Sequence, residues 1–98
     1  MRRGTTPTHT FNCSIDATQF TKLNIAYAQN NSIVLEKGLE DCTINGNSIV
    51  VKLTEEESLK FKHGTAVEIQ IRAGIGEERI VSPIMSTTVD RLIRDGAL

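Results

Sequence analysis

The sequence has no tryptophan and few aromatic residues of any kind: three phenylalanines and one tyrosine among 98 residues. A carbohydrate-binding face, or a platform for single-stranded nucleic acid, stacks its ligand on exposed rings. Phe11, Phe20, Phe61 and Tyr27 fall mostly at core-facing positions, which leaves little for such a role. Cysteine is confined to Cys13 and Cys42. A small secreted scaffold relies on several disulfide pairs, so both thiols are expected reduced and packed as small hydrophobic groups. Charge of one sign is missing too. Eleven Lys and Arg stand against twelve Asp and Glu, a net of −1, without the basic footprint of a non-specific nucleic-acid binder. No apolar run approaches the roughly 20 residues that span a bilayer. Arg2 and Arg3 imitate the charged start of a signal peptide, but no apolar stretch follows them. Cytoplasmic synthesis, with neither membrane nor nucleic acid as partner, is the expectation.

Catalytic equipment is equally scarce. Of the two histidines, His9 and His63, neither stands in a nucleophile elbow or a cysteine-protease context. Cys13, Cys42, His9 and His63 are the right residue types for zinc, but no close pair of ligands announces a site. Glu55-Glu56-Glu57 lacks the alternating oxygen ligands and glycine of a calcium loop. Gly74-Ile75-Gly76 is half a phosphate loop, with no helix and no third glycine after it. No catalytic residue, metal or cofactor is therefore expected.

What is present is a succession of short β-favouring segments. The size suits a single domain. Residues 1–7 are polar, contain Pro7, and read as a flexible arm ahead of a domain over residues 8–98. In 8–15, Phe11, Cys13 and Ile15 share a face at period two. Residues 22–29 place Leu23, Ile25 and Tyr27 together. Asn30-Asn31 follows as a turn, since asparagine tolerates left-handed backbone. Residues 32–37 align Ile33 with Leu35.

Asn45-Gly46-Asn47 sits between two apolar runs, as hairpin turns do. A loop on Gly46-Asn47 matches Ile44 with Ile49 and Cys42 with Val51. A loop on Asn45-Gly46 sets Ile44 against Asn47. The first is preferred because apolar side chains meet directly. Thr54 and Glu57 fit a capping box, which predicts one or two helical turns before His63-Gly64. Residues 65–73 alternate Val67, Ile69, Ile71 and Ala73 with polar side chains, the mark of an antiparallel sheet wet on one face. Residues 74–78 read as a turn. Pro83 then makes the last strand region an edge, or breaks it in two. Val89, Leu92 and Ile93 have helical spacing over a stretch too short to form a helix by itself. The sum is all-β: an antiparallel β-sandwich of six or seven short strands with one helical corner, a partly open barrel being the alternative.

The phrases Arg2–Phe11 (RRGTTPTHTF), Asn24–Gln29 (NIAYAQ), Leu53–Phe61 (LTEEESLKF) and Val67–Ala73 (VEIQIRA) resemble a family of small prophage-associated proteins of low-GC Gram-positive bacteria. The resemblance covers nearly the whole chain, and its motifs are structural. The strand pattern also resembles the immunoglobulin-like N-terminal domain of phage baseplate upper proteins, without their long C-terminal part. The second resemblance implies an immunoglobulin-like fold, and both imply a non-enzymatic component of a phage particle (tail, neck or baseplate) that acts by packing against protein, either itself or other subunits. A monomeric adaptor for a host protein is the alternative. The candidate contact residues are Arg2, Arg3, His9, Phe11 and Pro83. Removal of residues 1–8 is expected to leave folding intact and weaken assembly.

Overall fold

Period-two patterning sets the strands, and turn residues set their lengths. The computed structural model describes residues 1–98. Its strands are β1 (Thr8–Asn12), β2 (Lys22–Gln29), β3 (Ser32–Gly38), β4 (Cys42–Asn45), β5 (Ser48–Lys52), β6 (Val67–Ile75), β7 (Glu78–Val81) and β8 (Met85–Thr87). The helix α1 (Glu55–Leu59) lies between β5 and β6. Asn30 and Asn31 both adopt positive φ, the primed turn that suits the right-handed twist of paired strands. The β4–β5 hairpin turns on Gly46-Asn47 and pairs Ile44 with Ile49 and Cys42 with Val51, the preferred register.

Two antiparallel sheets result, ordered β1-β5-β4 and β3-β2-β6-β7, with β8 continuing along the same side of β6. In chain order, β1 to β6 take the B, C, C′, D, E and F positions of an immunoglobulin-type sandwich. Strands β7 and β8 share the G position. No strand lies beside β1 in the A position.

The core is the meeting of the two inner faces. Ile49 and Val51 of β5, with Leu53 after it, oppose Leu23, Ile25 and Tyr27 of β2 and Val67, Ile69, Ile71 and Ala73 of β6. Phe61 seals the end under α1, edge-on to Tyr27. Full burial of each large aliphatic side chain is worth about 1.5–3 kcal/mol, so β2, β5 and β6 hold most of the apolar stabilisation. Thr54 caps α1: its hydroxyl accepts from Glu57 N–H and its own N–H donates to the Glu57 carboxylate.

Several sequence expectations need correction. Ile33 and Leu35 do not share a face. A β-bulge between Tyr27 and Ala28 sets Val34 as an extra residue in β3, and Ile33 turns out to solvent while Leu35 stays buried. Strand β6 runs on to Ile75, so the turn narrows to Gly76-Glu77. In keeping with the shortness of the stretch, residues 89–93 form no helix; Val89 is buried and Ile93 is almost fully exposed.

Residues 1–7 are not a free arm. The Met1 amino group donates to Thr88 O at 2.7 Å, Asp90 N–H donates to Met1 O, and Leu53 N–H donates to Pro7 O. Fully buried Ser58 of α1 reaches Thr5 O at 2.8 Å. These polar residues lie flat because the end of α1 and the 88–90 segment offer them backbone partners. Removing residues 1–8 would orphan those groups, so the deletion is not structurally neutral.

Candidate functional site

The missing A strand leaves the sandwich open along one side. There, Phe11, Cys13 and Ile15 at the end of the first sheet face Ile71 and Ala73 of β6 and the Ile80–Met85 segment of the second sheet. Between them is a cleft of about 580 Å³ floored by Phe20. No charged side chain lines it. Its rim exposes apolar surface: Val81 is more than half accessible, and Ile15 and Ile80 more than a third.

Strand β1 forms one lip of the cleft. It pairs only with β5. Bonds from Cys13 N–H to Asn47 O and from Leu53 N–H to Pro7 O bracket that ladder. By antiparallel alternation, His9 and Phe11 turn their backbone groups toward β5, and Thr8, Thr10 and Asn12 turn theirs to the open side. Strand β7 forms the other lip. Pro83 divides it from β8, and Ser82 repairs the break by donating N–H to Ile71 O while its hydroxyl accepts from Ile71 N–H. The region around Pro83 is thus both an edge and broken in two.

The structure brings Phe11 and Pro83 together at this cleft and sends the other three candidates elsewhere. Arg3 caps the far end of α1. Its guanidinium donates to Phe61 O at 2.5 Å and Leu59 O at 3.0 Å, and also pairs with Asp95. Carbonyls at a helix C-terminus lack intrahelical partners, and a cation there also meets the negative end of the helix dipole. Arg2 is exposed, 4.0 Å from Asp90. His9 points into the sandwich and spans the two sheets: its Nδ1 lies 2.8 Å from the hydroxyl of buried Tyr27. Burial, and to a lesser degree the Met1 ammonium, hold the His9 imidazole below its usual pKa. Burial also raises the Tyr27 phenol, with smaller contributions from Cys42 and Glu57.

Cys13 packs half-buried against the core and also lines the cleft, its thiol pushed up by burial. Cys42 donates to Gly38 O, and both cysteines are free. Sequence reasoning missed Ile80, Val81 and Met85 as cleft residues. Only the exposure of Ile80 and Val81 beside Pro83 marks them, and exposure cannot be read before the strands are placed. No group of three or more His, Cys, Asp or Glu side chains converges, and no helix is long and apolar enough to cross a membrane. Comparison with family models, with curated proteins and with solved structures gives no match to this chain.

Proposed function

We propose that this protein is a non-enzymatic structural or assembly component of a phage particle, working by protein–protein packing at the open side of its sandwich. One observation carries the packing part: an uncharged apolar cleft with an unpaired strand edge at either lip. Apolar rims and free backbone donors and acceptors together recruit protein, because a neighbouring chain satisfies both at once. The phage assignment is supported by the resemblance of the Arg2–Phe11, Asn24–Gln29, Leu53–Phe61 and Val67–Ala73 phrases to prophage-associated proteins.

The test is mass spectrometry of particles purified from an induced lysogen that carries this sequence. The chain is expected in the particles in fixed ratio to the other structural proteins. Its absence from particles, with recovery of a monomer bound to a cellular protein, would sink the proposal in favour of a host-directed adaptor.

A further inference from the structure

The four sheet edges of this sandwich are not equally defended. Natural edges carry charges, bulges, proline or very short strands, which prevent indiscriminate pairing. Strand β3 has a bulge and carries Glu36 and Lys37. Strand β4 is four residues long and follows Glu40 and Asp41. The β7–β8 edge carries Glu78 and Arg79 and is broken at Pro83. Strand β1, Thr-His-Thr-Phe-Asn, has no charge held at neutral pH, no bulge and no internal proline.

The β1 edge also fits itself. Thr8, Thr10 and Asn12 present their backbone groups outward, as argued above. Two copies related by a two-fold axis through Thr10 would set Thr10 opposite Thr10 of the partner subunit, and Thr8 opposite Asn12 of the partner subunit. Every outward group in that register meets another outward group. The side chains brought together on the wet face are Thr–Thr and Thr–Asn, and a Thr–Thr pair is favourable across strands. No like charges are opposed. The symmetry closes the assembly at two copies, as an isologous contact does.

From this, we infer that the protein self-associates through β1, the partner subunit's β1 taking the vacant A position and joining the two three-stranded sheets into one of six strands. The inference rests on the packing reading of the same cleft, whose open side the second copy would close.

The experiment is light scattering on size-exclusion fractions of the full chain over a range of concentrations, for the native protein, Thr10→Lys and Thr43→Lys. Thr43 is exposed on β4, at the opposite edge of the same sheet. The native protein and Thr43→Lys are expected to reach twice the 10.8 kDa chain mass, and Thr10→Lys to need at least ~10-fold higher concentration to do so. That factor corresponds to ~1.4 kcal/mol. A second variant guards against misfolding: Thr10→Cys in a Cys13→Ser, Cys42→Ser background. Its paired Cα atoms would lie about 5.5 Å apart, within disulfide range, so mild oxidation is expected to yield a covalent dimer. A native protein that stays monomeric throughout, or a dimer that Thr10→Lys leaves untouched and Thr10→Cys fails to cross-link, overturns the inference. Either result leaves the packing proposal to be decided by the particle measurement, since another partner could still fill the cleft.

Discussion

Tyr27 carries its hydroxyl into the centre of the sandwich, where it meets His9 from the opposite sheet. Antibody-type sandwiches tie their sheets with a disulfide packed against a tryptophan; this chain has no tryptophan, and both its cysteines are free. The Tyr27 hydroxyl donates to a bare Nδ1 or accepts from a protonated one, and burial favours the neutral imidazole. His9 titrates lower in the folded state than the ordinary 6.5 of the unfolded chain. Between those two values the unfolded state binds more protons, so stability rises with pH there. We expect unfolding free energy to be flat with respect to this group above 6.5 and to decline as pH falls below it. Urea denaturation from neutral to mildly acid pH checks this, and a native protein insensitive to pH in that window would contradict it. Tyr27→Phe is expected to cost ~1–3 kcal/mol at neutral pH, by orphaning Nδ1 of His9. The inward placement of His9 follows from its parity with Phe11. Its partner was not legible, because nothing local says which strand of the other sheet lies across from it. Gln29 is a similar case. It shares the parity of Leu23, Ile25 and Tyr27, and only the fold brings its amide to Lys62 N–H, Lys62 O and Thr65 O.

Among the elements, those written in adjacent residues were the readable ones. The β4–β5 register follows from matching Ile44 with Ile49 across Gly46-Asn47, and the start of α1 follows from Thr54 and Glu57. Thr54→Ala removes the hydroxyl that accepts Glu57 N–H and is expected to cost ~1 kcal/mol, with Thr54→Ser near neutral; the shift of the urea midpoint measures both. Glu57 has a further duty. It bonds Lys37 of β3 at 2.6 Å and so ties the helix to the second sheet. Burial opposes its ionisation, but the bonds from Lys37 and Thr54 outweigh that and hold the carboxyl below its usual pKa. Its contribution is present above the ordinary carboxylate range and fades as pH falls through the depressed value, well below the His9 window. The β3 bulge had no local signal. Extra residues are accommodated wherever the neighbouring strand and the core demand them, so Ile33 faced the wrong way in any reading by strict alternation.

For the molecule as a whole, the all-β class and the sandwich followed from counting short alternating segments without a long helix. The cleft did not. Phe11 was marked by its face and Pro83 by its missing donor, yet their meeting depends on β1 and β7 lying on facing sheets with no strand between them. Absence of a strand at one position is a property of topology, invisible to any residue pattern. The arm misled for a related reason: polar composition suggests solvent, while Arg3 and Thr5 find backbone and hydroxyl partners on α1 and at Phe61 just after it, more than fifty positions away.

Met1 and Arg2 run beside Thr88 and Asp90, and Arg3 holds Asp95. The beginning and the end of the chain are therefore neighbours at one pole of the sandwich. Joining them with a short flexible linker and opening the chain at the exposed Gly76-Glu77 turn produces a circular permutant. It is expected to keep the native circular-dichroism spectrum and cooperative unfolding, and loss of cooperativity would show that the β6–β7 connection is needed to hold the second sheet. The same adjacency suits the sandwich to insertion as a unit into a surface loop of a carrier protein, entered and left at a single point.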